Sequence, residues 1–136
     1  QLYRDEIKDK ENDFFEKVFI SEINYSPSPE SRIKNFAADD SSLKIPFRNE
    51  RIRFLKQPFF KSFPVTILAC GRYLNDKTIE ETFDVSKVDD FTEKRYRFVV
   101  YRTEGRVLIN TRQLSMTIKS EYFFKIIEQI KKTYQP

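Results

Sequence analysis

The spacing of apolar residues changes twice along this chain, and that change limits the fold classes open to it. Apolar residues recur at three- and four-residue steps over 5–23, which predicts an amphipathic helix. From residue 44 onward, apolar and polar residues alternate as they do on half-buried strands. Helical spacing returns over 119–134, where one apolar stripe contains Phe123, Ile126, Ile127, Ile130 and Tyr134. The pattern predicts an α+β fold with a helix at each end of a sheet.

The central region, 44–118, is predicted to form a single antiparallel meander sheet of about five strands. The predicted strands cover residues 51–54, 63–74, 78–85, 95–102 and 106–110. The strand over 63–74 is apolar on both sides, which favours a central position in the sheet. Asn75-Asp76 and Gly105 are predicted hairpin turns, and 86–93 is predicted to be an acidic loop. Both helices are expected to pack on one face, so that residues 1–136 form a single domain.

Residues 24–43 are predicted to be a long polar connection. Ser26 and Ser28 each precede a proline, and a residue before proline favours extended geometry. Both serines are candidate phosphorylation sites, because phosphate on this stretch would switch the local charge. The alternative is that the two dipeptides occur by chance and have only a structural role.

The composition excludes several kinds of catalytic and metal site. The chain has no His, one Cys and two Gly. It therefore cannot build a hydrolase triad with a His base, a His-ligated metal site, a Cys cluster or a glycine-rich phosphate loop. We expect no cofactor and no enzymatic activity. An enzyme based on carboxylates is the less favoured alternative, because its residues can be distant in sequence.

Charge is distributed in blocks, although the formal net charge is only +4. Residues 1–30 and 75–93 are mainly acidic, whereas 48–61 and 94–112 are mainly basic. On strands, alternate residues share a face, so a basic sheet face is predicted from Arg51, Arg53, Arg95 and Arg97. Such a face is a candidate binding site for nucleic acid, anionic lipid or another anionic partner. The alternative is a solvent face with cross-strand partners such as Glu80 or Asp84.

Aromatic residues exceed what two helices and a small sheet need to bury. The chain has 14 Phe and 7 Tyr, and several of the Phe residues lie in or beside predicted loops. Phe59, Phe60 and Phe91 are therefore candidates for an apolar docking surface. Together with the absence of catalytic residue types, this favours a non-catalytic protein-interaction or assembly module, a subunit or domain of a larger complex.

The predicted element order resembles that of RWD-like domains of multiprotein assemblies and of small lipid-binding kinase-associated modules. The chain shares no motif with either family, so the resemblance assigns no residue a role.

The single cysteine and the absence of a long apolar run bear on location. Cys70 lies in an apolar run and cannot form an internal disulfide, so a buried thiol in a reducing compartment is expected. No apolar run approaches the ~18 residues that a membrane-spanning helix needs. An intracellular location, cytoplasmic or nuclear, is therefore expected. The sequence favours no particular oligomeric state.

Overall fold

The structure is a computed structural model that describes residues 19, 41–92, 97–112, 114 and 119–134. The helices are α1 (Ser41–Leu55), α2 (Pro58–Lys61), α3 (Asp76–Phe83) and α4 (Ser120–Tyr134). The strands are β1 (Val65–Leu68), β2 (Ser86–Asp90), β3 (Phe98–Thr103) and β4 (Arg106–Thr111). The α+β class is thereby confirmed. Apart from Phe19, the predicted helix 5–23 lies outside the described residues, as does 24–40 of the predicted connection.

The sheet formed by the described residues is mixed, and the prediction of a purely antiparallel meander was wrong. Its four strands have the order β1-β4-β3-β2. β2, β3 and β4 form an antiparallel meander, whereas β1 pairs with β4 in parallel. The parallel pair arises because α3 carries the chain from β1 at one edge to β2 at the other. The meander then returns β4 to the side of β1.

The predicted strand over 51–54 is helical, because it lies in the last turns of α1. Ile52 and Leu55 are three residues apart, and both contact the same core. A four-residue alternation fits this helical spacing as well as it fits a strand.

The predicted hairpin at Asn75-Asp76 is instead the start of α3. The Asn75 side chain accepts a hydrogen bond of 2.8 Å from the Thr78 backbone N–H, which makes it an N-cap. The predicted strand 78–85 is therefore wrong over most of its length. Ile79 and Phe83, which alternation placed on one strand face, lie one helical turn apart and are buried.

Two further strand predictions are corrected. The predicted strand 63–74 contains only the short β1, which lies at an edge and not at the centre. The predicted acidic loop 86–93 contains the edge strand β2, which is exposed along its length and bulged between Lys87 and Asp89. The hairpin at Gly105 is confirmed. Gly105 has φ +68° and joins β3 to β4, which pair from Phe98↔Thr111 to Thr103↔Arg106.

Helices of the described residues cover both faces of the sheet. The predicted helix 5–23, which was expected on the same face as the C-terminal helix, lies outside the described residues, so its packing stays a prediction. On one face, α1, α2 and α3 contribute to a core that includes Leu55, Phe60, Ile79, Tyr101 and Leu108. On the other face, α4 contributes to a second core that includes Phe98, Val100, Ile109, Tyr122 and Ile126. Alternate residues of β3 and β4 enter the two cores, which is why 98–101 and 107–109 are continuous apolar runs. Among the described helices, none combines the length and hydropathy of a membrane span.

Candidate interaction surface

The C-terminal helix α4 exposes much of the apolar stripe that the sequence predicted. The helix buries Tyr122, Ile126 and Gln129. Phe123 and Ile127 are 42% and 44% exposed, and Phe124 is 68% exposed. The apolar surface of α4 is therefore wider than the strip that the sheet covers.

Two sets of hydrogen bonds determine how α4 is rotated about its axis. On one side, the Arg102 guanidinium donates to the Gln129 carbonyl at 3.1 Å and to Thr133 Oγ1 at 3.2 Å. On the other side, the Tyr134 hydroxyl donates to the Pro64 carbonyl at 2.8 Å. The polar Gln129 is thus buried beside β3, and the exposed apolar side of α4 lies towards the β1 edge.

The exposed residues of α4 lie level with an exposed residue of β1. Tyr122 hydrogen-bonds Thr111 at the end of β4, so α4 runs antiparallel to β4 and β1. From Tyr134 to Ile127 the helix rises about 10 Å, and from Pro64 to Ile67 the strand advances about 10 Å. The exposed side of α4 therefore runs alongside β1 over the stretch that begins at Pro64.

Ile67 faces the α4 side of the sheet and is 40% exposed. It lies two residues after Val65, which packs against the α4 core, and residues two apart on a strand share a face. We define the α4–β1 flank as the exposed apolar surface formed by Ile67, Phe123, Ile127 and Tyr134.

The outer edge of β1 adds to this flank backbone groups that pair with no described strand. Among the described residues, β1 pairs with β4 alone. Val107 N–H donates to the Pro64 carbonyl, with Val65 opposite Val107. In a parallel ladder this register directs the N–H and C=O of Thr66 towards β4 and those of Val65 and Ile67 outward. The edge therefore presents hydrogen-bonding groups next to apolar side chains.

The opposite edge of the sheet has the features that prevent strand addition. β2 carries Lys87, Asp89 and Asp90 and contains a bulge. Charged side chains and bulges on an edge strand disfavour pairing with another chain. β1 has the sequence Val-Thr-Ile-Leu and carries no charge. Only the β1 edge is therefore suited to pairing.

The densest charged network of the described residues connects α3 to β2 and β3. Lys87 Nζ lies 2.8 Å from Asp76 Oδ2 and 2.7 Å from Asp90 Oδ2. The buried Tyr101 donates its hydroxyl to Asp76 Oδ1 at 2.6 Å.

The pKa values in this network are displaced away from neutrality. The Lys87 hydrogen bond lowers the pKa of Asp90 to about 2. Hydrogen bonds from Lys87 and then Tyr101 lower the pKa of Asp76. Asp76 and Asp90 raise the pKa of Lys87, and burial raises that of Tyr101. At neutral pH the two carboxylates and Lys87 therefore stay charged and Tyr101 stays protonated, so the network suits structural support and not proton transfer.

Of the four predicted basic residues, the three that the structure describes do not lie together on a sheet face. Arg51 and Arg53 lie on α1, and Arg51 lies over the Phe54 ring at 4.7 Å. Arg97 precedes β3, and its carbonyl accepts a 3.5 Å hydrogen bond from Tyr122 on the opposite side of the sheet from α1. Arg95 lies outside the described residues, as do Ser26 and Ser28.

The predicted docking phenylalanines mostly contact other parts of this chain. Phe60 is buried in the core. Phe91 is half-buried and stacks on Phe98 at 4.6 Å. Phe59 is 52% exposed, but its ring lies 5.4 Å from that of Phe19. Of the three residues, Phe59 alone presents a large apolar surface.

Cys70 occupies a half-buried position beside β4. Its thiol donates to Asn110 Oδ1 at 3.1 Å, and burial raises the pKa of the thiol. The thiol is therefore protonated at neutral pH, which disfavours a role as nucleophile.

Sequence reasoning missed the residues of the α4–β1 flank because it assigned the α4 stripe to the core. The available signal was the width of the stripe. Phe124 and Ile127 extend it beyond the three or four positions per two turns that one contact face needs.

Comparison with known proteins finds no matching family model, no matching curated protein and no matching solved structure. The observed element order also differs from the predicted order on which the resemblance to RWD-like and kinase-associated modules depended.

Proposed function

We propose that this chain is a non-catalytic protein-interaction module that docks through the α4–β1 flank. The observation that carries the proposal is the exposed apolar side of α4, which lies next to the uncharged strand β1 at the edge of the sheet. Apolar side chains scattered singly over a surface need no explanation, whereas a contiguous group of them is typical of a binding site.

The chemistry of the flank supports a protein partner. Aromatic residues are enriched at the centres of protein interfaces, where they contribute much of the binding energy. Phe123 and Tyr134 supply two such side chains. The outward N–H and C=O groups of Val65 and Ile67 add directional contacts, which only a partner with matching hydrogen-bonding groups satisfies.

The arrangement of charge on α4 leaves the flank accessible. The Glu128 carboxylate forms ion pairs with Lys125 Nζ at 3.1 Å and with Lys132 Nζ at 3.8 Å. On a helix these three residues lie on the side away from Phe123 and Ile127. A partner can therefore cover the flank without desolvating these ion pairs.

The test compares capture of proteins from the native source by three forms of the chain. Phe123→Asp/Ile127→Asp places charge on the flank. Tyr73→Asp/Val88→Asp is the matched control, because Tyr73 and Val88 are 47% and 51% exposed elsewhere. Circular dichroism and the unfolding midpoint establish that each form is folded.

The proposal predicts that the wild type and the control capture the same partner. That partner is either another kind of protein or an untagged copy of this chain. The proposal also predicts that the flank variant loses at least about tenfold in affinity when binding is repeated with purified components. Equal affinity of the flank variant and the wild type would contradict the proposal. So would the absence of both a captured protein and self-association.

A further inference from the structure

We infer that a second copy of this chain occupies the α4–β1 flank, by antiparallel pairing of β1 with β1 of the second copy. This inference rests on the proposed function, because it names the partner of the same surface. The pairing of the two β1 strands joins the four-stranded sheets of the two copies into one continuous sheet. A two-fold axis relates the copies. Most soluble oligomers have this symmetry, in which the same patch contributes from both copies.

The register follows from the outward backbone groups. An antiparallel pair centred on Thr66 places Val65 opposite Ile67 of the second copy, and Ile67 opposite Val65 of the second copy. Both positions direct their N–H and C=O away from β4. Each outward donor of one copy then meets an outward acceptor of the other.

The side chains around this strand pair allow the same surface of two copies to pack together. Neither β1 nor the four residues of the flank carry a charge. The nearest charge on α4 is the exposed Lys131, one helical turn after Ile127, and its long side chain extends to solvent at the border of the contact. A two-fold contact places the same apolar patch of each copy against that of the other.

The available area is consistent with a reversible dimer. Given the size of aromatic and aliphatic side chains, the flank and the neighbouring Phe124 expose on the order of 500 Å² per copy. A standard stable interface buries about 800 Å² per partner. The outward backbone of β1 adds to this area, and the contact stays smaller than a standard stable interface. We therefore expect an association that depends on concentration in the micromolar range.

A proline at position 67 tests the strand pairing selectively. The Ile67 N–H points outward, so Ile67→Pro removes a donor to the second copy and leaves the ladder to β4 intact. Proline is tolerated at such positions of edge strands. Ile67→Ala is the control, because it removes more of the side chain than proline does and keeps the N–H.

Sedimentation equilibrium measures the mass from micromolar to millimolar concentration, with the unfolding midpoint as the folding control. The wild type is expected to rise from 16.4 kDa towards twice that mass. Ile67→Pro is expected to weaken the dimer at least about tenfold more than Ile67→Ala does.

Three outcomes would overturn the inference: a monomer at every concentration, a dimer unaffected by proline, and equal effects of proline and alanine. If the wild type is monomeric but captures a different protein through the flank, the second copy is excluded and the proposed function stands. If it is monomeric and captures nothing, both are excluded.

Discussion

The Tyr134 hydroxyl donates a 2.8 Å hydrogen bond to the carbonyl of Pro64, 70 residues earlier in the chain. The contact connects the last turn of α4 to the residue before β1. It therefore sets the position of the exposed helix side relative to the sheet edge. The Pro64 carbonyl also accepts a 3.0 Å hydrogen bond from the Val107 N–H. The residue before β1 is therefore bonded to both β4 and α4.

Removing this hydroxyl should lower stability modestly. We predict that Tyr134→Phe reduces the free energy of unfolding by about 1 kcal/mol, the usual net value of one hydrogen bond. Urea unfolding at micromolar concentration measures the change. Tyr73→Phe is the control, because the Tyr73 hydroxyl makes no hydrogen bond to a described residue. Equal changes in the two variants would show that the Tyr134 contact contributes nothing.

The N-cap of α3 can be tested at Asn75. We predict that Asn75→Ala lowers the free energy of unfolding by about 1 kcal/mol, because the Thr78 N–H loses its acceptor. Asn75→Ser should retain most of the stability, since a serine hydroxyl also caps a helix. Chemical unfolding of the three forms gives the comparison. If the alanine and serine variants are equally stable, the side chain of residue 75 does not cap the helix.

Burial of α3 against the sheet can be tested with two identical substitutions. Ile79 is fully buried, whereas Ile67 is 40% exposed. We predict that Ile79→Ala costs about 2–5 kcal/mol through lost burial and a cavity. Ile67→Ala should cost less than about 1 kcal/mol in the monomer. Thermal and urea unfolding at low concentration report both values, and similar costs would contradict the packing of α3.

The charged network predicts a loss of stability in acid. The pKa of Asp90 is lowered to about 2, and that of Asp76 is also lowered. A carboxyl with a lowered folded-state pKa stabilises the fold above its unfolded pKa, about 3.9. This contribution is lost as the pH falls through the folded-state pKa. The free energy of unfolding should therefore fall between about pH 4 and pH 2.

Asp90→Asn should flatten this pH dependence, because asparagine does not titrate. Asp89→Asn is the neighbouring control, since Asp89 makes no ion pair with a described residue. Urea unfolding across the acid range measures both slopes. An unchanged slope in Asp90→Asn would mean that the Asp90–Lys87 contact does not stabilise the fold.

Cys70 should react slowly in the folded protein. Burial raises the pKa of its thiol, which lowers the fraction of reactive thiolate. We predict that a disulfide reagent at mildly alkaline pH modifies Cys70 at least about tenfold more slowly in native buffer than in denaturant. Absorbance of the released thiol measures the rate. Equal rates in the two conditions would contradict a shielded thiol.

The elements that local signals specify could be predicted from the sequence. Gly105 indicated the turn between β3 and β4, and helical spacing indicated α4. Asn75-Asp76 was misassigned because the same residue types favour a hairpin turn and a helix N-cap. The parallel pairing of β1 with β4 has no local signal, because more than 30 residues of intervening chain separate the two strands.

The candidate site was less predictable than the fold. The sequence shows that α4 has a wide apolar stripe, but the hydrogen bonds of Arg102 to Gln129 and of Tyr134 to Pro64 decide which part is buried. Both contacts join residues distant in sequence. Arg51 and Arg53 were misplaced for a related reason, since four alternating residues do not distinguish a strand from a helix that has one buried side.

Amide hydrogen exchange at Ile67 reports on pairing of β1 with a second copy, because this N–H lies at the outer edge of β1 within the α4–β1 flank. The exchange rate is measured at micromolar and at near-millimolar concentration, with the buried amide of Ile109 as the internal reference. If β1 pairs with a second copy, exchange at Ile67 slows as concentration rises, while exchange at Ile109 stays constant. Rapid exchange at Ile67 at every concentration would contradict the pairing of this edge with a second copy.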